Sequence, residues 1–180
     1  MRLVMYKAME VRHHNFTSKD KLFLDANIWL YLFSPREPRD RWKQIYSEVF
    51  ERILKANSRI YVDVLVVSEF INAYARMKWR AAAPHIKSFK DFRNSTGFKP
   101  IAEDITAGVR EIINHCSRIE SGFVTLQMDG LLTDYAAGNS DFNDQVITAL
   151  CKSNGLTLIT NDSDFKTQDS PILTANSNLL

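Results

Sequence analysis

Cysteine is scarce in this chain. It has 2 among 180 residues, Cys116 and Cys151, and neither lies in a CxxC pair. A disulfide framework is therefore not expected, and two small buried hydrophobes in a reducing compartment are. The 4 histidines, His13, His14, His85 and His115, have no metal-ligand spacing with those cysteines, which argues against a structural zinc site. Glycine (6) and proline (5) are too few for long flexible linkers or a collagen-like repeat. No apolar run approaches the roughly 18 to 20 residues of a membrane span. The first residues, MRLVMYKAMEVRHHNF, hold no long apolar stretch and no small-residue cleavage site. A secretory signal is not expected there, no membrane partner is expected, and the location expected is cytoplasmic.

What is present is ordinary globular composition, 45% hydrophobic and 24% charged. A compact chain of this length buries roughly 70% of its unfolded surface, enough for one core without staples. The net charge of +2 decides nothing, but its distribution is uneven. Residues 76–99 carry seven cations (Arg76, Lys78, Arg80, Lys87, Lys90, Arg93, Lys99) against the single acid Asp91. Residues 100–150 carry two cations against eight acids. One segment suits a polyanion and the other concentrates carboxylates.

Strands and helices alternate. KLFLD (21–25) reads as a short buried strand that stops at an Asp, and ANIWLYLF after it as the opening of a helix that Ser34-Pro35 ends. Residues 40–56 repeat apolar side chains at spacings of three and four, which predicts an amphipathic helix. RIYV (59–62) reads as a strand with a helix from about Val64, and residues 85–93 and 103–118 as two more helices. GFVTLQM (122–128) reads as a strand, residues 140–154 as a helix stopped by Gly155, and LTLIT (156–160) as a buried strand. The chain after Phe165 is polar and weakly patterned. The alternation predicts βαβ units and a mainly parallel sheet covered on both faces, an α/β fold. Ligands of such sheets bind beyond the carboxyl ends of the strands.

Acids stand at those ends. Asp25 closes the first strand, Glu69 lies about one turn into the helix after RIYV, Asp144 opens the helix before LTLIT, and Asp162 follows LIT. Asp141 and Asp164 flank the last two. Taken singly, Asp144 could be a helix cap, Glu69 a first-turn acid, and Asp162 and Asp164 turn residues. Asp25 directly after buried strand residues is harder to explain so, because an unpaired carboxylate there is costly. Converging carboxylates repel one another unless a cation compensates, and oxygen ligands without His or Cys select Mg²⁺ or Mn²⁺. That chemistry points to phosphodiester hydrolysis. A phospho-aspartate phosphatase would need a second Asp where Asn27 stands, and a P-loop would need GxxxxGK[ST], which is absent.

FLDANIWLY, VVSEFINAY and DFNDQVITALCKSNGLTLITNDSDF, in this order over residues 21–166, resemble the PIN-domain nucleases, above all the VapC-type toxins of toxin–antitoxin pairs. The resemblance maps Asp25, Glu69, Asp144 and Asp162 onto the family's four acids. Asp164 takes the second acid of the last element, and Asp141 is an auxiliary acid. Asn27, Ser68, Thr160 and Asn161 match adjoining polar positions. The likeness implies a three-layer α/β/α sandwich, a metal site of Asp25, Glu69, Asp144, Asp162 and Asp164 holding Mg²⁺ or Mn²⁺, and cleavage of RNA. It further implies a homodimer and, for a toxin, an antitoxin partner. It divides the chain into an N-terminal extension (1–20), a nuclease domain (21–166) and a C-terminal tail (167–180).

The segment RMKWRAAAPHIKSFKDFRNSTGFK interleaves cations with Trp79, Phe89, Phe92 and Phe98. Arg76, Lys78, Arg80, Lys87, Lys90 and Arg93 are its expected phosphate contacts. The aromatics either stack on unpaired bases or pack as core. Three functions stay open: a toxin ribonuclease, a nuclease of RNA processing or decay, and a module that only binds RNA or protein. Retention of all four acids argues against the last.

Overall fold

A computed structural model describes residues 7–35, 40–138 and 140–180. Among them, six strands form one all-parallel sheet: β1 (Met9–Glu10), β2 (Lys21–Leu24), β3 (Arg59–Val62), β4 (Ser117–Arg118), β5 (Thr157–Ile159) and β6 (Ile172–Thr174). Their spatial order is β1-β6-β5-β2-β3-β4. In β2, Leu22, Phe23 and Leu24 are all buried, because a central parallel strand is covered on both faces. Phe23 aligns with Tyr61 of β3 and Leu158 of β5.

The helices are α1 (Ala26–Phe33), α2 (Arg41–Lys55), α3 (Val64–Ala82), α4 (Phe89–Asn94), α5 (Phe98–His115), α6 (Met128–Ala136) and α7 (Phe142–Asn154). From β2 the chain steps outward to β3 and β4 with α1 to α5 as crossovers, then returns through α6 and α7 to β5 on the other side of β2. Right-handed crossovers in opposite directions put the two helix groups on opposite faces. The result is the expected three-layer α/β/α sandwich. The strand order reverses between β2 and β5, so a crevice opens beyond their carboxyl ends.

Acids start the helices at those ends. The Asp25 carboxylate accepts from Ala26 N–H (2.6 Å), that of Asp63 from Val66 N–H (3.0 Å), and that of Asp141 from Asn143 N–H (2.8 Å). Each satisfies a donor that the helix itself cannot. At the far end of α7, Gly155 adopts φ 62°, and its N–H returns to the Cys151 and Lys152 carbonyls.

Four elements depart from the sequence reading. GFVTLQM is not a strand: Phe123–Thr125 form a short 3-10 turn and Met128 begins α6. The sheet position it would take is held by the polar pair Ser117-Arg118, whose register with Tyr61 and Val62 also ends α5 at His115 rather than at residue 118. The helix expected over 85–93 is confined to Phe89–Asn94, where the Ser88 hydroxyl caps it by accepting from Asp91 N–H (3.1 Å). The weakly patterned segment after Phe165 supplies β6, which pairs with β5 and with β1, and buries Leu173, Ala175 and Leu179. Its backbone pairing needs only three residues, two of them apolar, too short a run to stand out.

Candidate active site: an uncompensated acid cleft

At the crevice between β2 and β5, Asp25 is 4% exposed. Its Oδ1 accepts from Ala26 N–H, and its Oδ2 accepts from the Thr160 hydroxyl (2.7 Å) and from the Asn27 amide (2.5 Å). Burial pushes its carboxyl up to about 6. The hydrogen bonds from Thr160, Ala26 and Asn27 oppose that rise, and the charge of Asp162 adds to it.

Glu69 arrives from α3, Asp144 from the first turn of α7 and Asp162 from the end of β5. Glu69 is exposed, yet its carboxyl is pushed up to about 7, first by loss of solvation and then by Asp25, Asp141 and Asp162. Asp144 is raised to about 7 by burial and by Asp25, Asp141, Asp162 and Glu69. Five of the six expected acids therefore act on one another across a single cleft. Asp141 and Asp162 remain solvent-exposed at its mouth. Asp164 is exposed and is not among the charges that act on Asp25, Glu69 or Asp144. Its backbone N–H donates to Asp162 Oδ1 (3.0 Å) in the turn that carries both acids.

No lysine or arginine forms an ion pair with these acids among the described residues. Their repulsion is left to solvent or to an external cation. Among the described residues, no three Asp, Glu, His or Cys side chains are gathered tightly enough to enclose one ion. The donor set is all oxygen, and it suits an ion that keeps several waters and takes one or two carboxylates, which is the habit of Mg²⁺.

Polar residues hold the acids. Asn27 bridges Asp25 to Thr160 (Nδ2 to Oγ1, 3.1 Å), and its Oδ1 accepts the Asn161 N–H (3.2 Å). Thr160 Oγ1 accepts the Asp162 N–H (3.1 Å). The Ser68 carbonyl and hydroxyl both accept from the Asn72 amide (2.9 and 3.4 Å). Sequence reasoning missed Tyr31, Tyr46 and Asn176, whose side chains bond Asn161. Spacing could not find them, because they come from α1, α2 and the chain after β6. It also missed Asp63, buried under the N-terminus of α3 with one carboxylate oxygen unpartnered and its carboxyl raised by burial.

The basic segment lies on α3, α4 and their connection. Arg76, Arg80, Lys87, Lys90 and Arg93 are exposed and Lys78 is half-buried beside Tyr74. The aromatics are packing: Trp79, Phe89, Phe92 and Phe98 form a chain of ring contacts at 5.4 to 6.3 Å, and Phe92 is buried. Phe89 also carries the Arg76 guanidinium 4.6 Å from its ring centre. Arg76 follows Glu69 by two helical turns on the same face of α3, roughly 10 Å along the axis. Ala73, Arg76, Met77, Arg80 and Ala81 line a shallow groove there.

Among the described residues no helix is long and apolar enough to cross a membrane. Five solved chains match this one. One is in the crystal structure of VapBC2 from Rickettsia felis bound to a DNA fragment from its promoter. It aligns with a TM-score of 0.56 at 16% identity, covering 86% of this chain and 98% of that one. No curated protein matches. The PIN domain model matches residues 22–170, a span that takes in every acid of the cleft, and the chain belongs to the PIN domain family.

Proposed function

We propose that this protein is a metal-dependent endoribonuclease and the toxin of a toxin–antitoxin pair. The observation that carries the reading is the cleft itself: Asp25, Glu69, Asp144 and Asp162, brought from four separate elements, repel one another, and among the described residues no lysine or arginine pairs with them. A fold pays for such an arrangement only where something positive binds. Asp25, Glu69, Asp144 and Asp162 would hold Mg²⁺ or Mn²⁺, with Asp141 beside them. The ion supplies charge neutralisation for the phosphodiester transition state.

The chain's own groups do the rest. Thr160 and Asn27 keep Asp25 oriented by occupying one of its oxygens. Burial and neighbouring acids raise the Glu69 and Asp144 carboxyls to about 7, and a bound cation would favour their ionised forms. Arg76 and Arg80 line the groove on α3, two and three turns beyond Glu69, where they would take the phosphates of an RNA strand leading into the cleft. Lys87, before α4, and Lys90 and Arg93 on it extend that basic surface. An antitoxin is the expected protein partner. Phe123, Val124, Leu132 and Tyr135 on the 3-10 turn and α6 are 66%, 97%, 49% and 55% exposed, an apolar strip that a partner would cover.

The test is cleavage of mixed RNAs by purified protein with Mg²⁺, with Mn²⁺ and with EDTA. Cleavage that requires the ion and is lost in Asp25→Asn is expected. Cleavage at the wild-type rate in EDTA, or in Asp25→Asn, overturns the reading. A gene for a small binding partner beside this one separates a toxin from a nuclease of RNA decay.

A further inference from the structure

Asn161 sits at the carboxyl end of β5, and all four of its polar groups are engaged. Its N–H donates to Asn27 Oδ1 (3.2 Å), its Nδ2 donates to the Tyr31 hydroxyl (3.2 Å), its Oδ1 accepts from the Tyr46 hydroxyl (3.0 Å), and its carbonyl accepts from Asn176 Nδ2 (2.8 Å). The neighbours on either side, Thr160 and Asp162, belong to the acid cleft. Whatever fixes Asn161 therefore fixes the turn that presents them.

We propose that Tyr46 and Asn176 are positioning residues for the acid cleft, bracing Asn161 from α2 and from the chain after β6 so that Asp25 and Asp162 keep one orientation. The proposal rests on the nuclease reading above and extends it to residues outside the cleft.

Tyr46 is fully buried, stacked on Tyr31 at 5.6 Å with an interplanar angle of 5°. Phenylalanine would fill the same volume, so the hydroxyl must have its own reason. It accepts the Ala175 N–H (3.1 Å), and its one proton is directed at Asn161 Oδ1 rather than at the longer Thr160 carbonyl contact (3.4 Å). One hydroxyl thus ties the chain after β6 to the turn after β5. Asn176 makes the second tie. Its Oδ1 accepts the Asn178 N–H (3.0 Å) while Nδ2 reaches Asn161, and Ala175 and Leu179 anchor the segment in the core on either side. From Asn161 the network passes to Asn27 and Thr160, which between them hold Asp25 Oδ2 and the Asp162 N–H. Chains of hydrogen bonds of this kind set the direction of a carboxylate that must meet a cation, and loss of one supporting partner typically lowers metal affinity or activity about 10- to 100-fold.

The test compares full-length wild type with Tyr46→Phe and Asn176→Ala. Three quantities are read on each: the melting temperature, the manganese dissociation constant from calorimetry without RNA, and kcat and KM for RNA cleavage. Both variants are expected to stay folded, to bind manganese about tenfold more weakly, and to lose kcat with KM for RNA unchanged. Asn176 is half-buried at the surface, so its variant keeps the test sharp if the buried hydroxyl proves necessary for folding. Manganese binding and kcat at wild-type values overturn the inference, as does a defect confined to KM or one that vanishes once both proteins are compared at equal folded fraction. In the same assays, loss of cleavage in Asp25→Asn keeps the nuclease reading standing if these two variants behave as wild type, whereas wild-type cleavage in Asp25→Asn removes that reading instead.

Discussion

The acid cleft and the basic surface of α3 and α4 hold charges of opposite sign under opposite conditions. In the cleft, Asp25 is buried and Glu69 and Asp144 are crowded by like charges, so their ionised forms are held at a cost. On α3 and α4 the cations lie in water over a small aromatic core, and Arg76 rests on Phe89 at little cost. The difference teaches where function can be inferred from strain. A crowded, uncompensated cluster calls for a ligand; an exposed cation does not, because solvation alone satisfies it. The cleft is thus a stronger pointer to chemistry than the basic surface is to RNA.

The largest expected effect breaks the cleft. Asp144→Asn should lower ion-dependent cleavage about 100-fold or more, on the scale seen when metal-site groups are altered. The same change removes one repelling charge, so the free protein should melt higher than wild type at pH 8. Arg76→Gln should leave the melting temperature unchanged and weaken cleavage far less, through RNA binding alone. A loss of cleavage accompanied by a lower melting temperature would mean that Asp144 serves the first turn of α7 rather than an ion.

The pH dependence of stability follows with a definite sign. Asp25, Glu69 and Asp144 have raised carboxyls, at about 6 to 7, above the ordinary 3.8 to 4.5 of these groups. The folded state therefore binds more protons than the unfolded state between those limits. Their contribution is fully present below about pH 4 and is lost as pH rises through 6 to 7. In EDTA the melting temperature should fall over that window, and millimolar Mn²⁺ should restore it at pH 8. A flat profile in EDTA would mean that the acids do not crowd one another.

On the basic surface the expected effect is smaller. Replacing Arg76 and Arg80 together with Gln should weaken RNA binding several-fold and lower the salt slope by about 1 for each phosphate no longer neutralised. The melting temperature should barely move. An unchanged slope would remove this face of α3 from the RNA path and leave Lys87, Lys90 and Arg93 to be tested alone.

What the sequence made legible divides along the same line. Asp25, Glu69, Asp144 and Asp162 stood out because each borders an apolar strand or helix face, where a carboxylate needs a reason. Gly155 and LTLIT were readable because a left-handed cap and a doubly covered strand restrict residue type strongly. The brace of Tyr46, Asn161 and Asn176 was not readable, since it is made by contacts between distant segments and polar residues of ordinary kinds. β4 and β6 were hidden for a related reason: two and three residues suffice when a neighbouring strand supplies the hydrogen bonds.

The misread strand at 122–128 sharpens this point and sets the smallest prediction. Val124 has strong strand propensity, yet it is 97% exposed, and Gly122 before it adopts φ 70° to start a 3-10 turn. An apolar residue that buries nothing contributes nothing to the fold, so Val124→Ser should change stability by no more than about 0.5 kcal/mol in denaturant unfolding. A cost of several kcal/mol would put the segment in the core, as the apolar pattern alone implied. A neutral result leaves Val124 free for another task, and the sharper readout is then affinity for a co-purified antitoxin. Weaker binding with unchanged stability and unchanged RNA cleavage would identify the exposed apolar residues from Phe123 to Tyr135 as a partner surface.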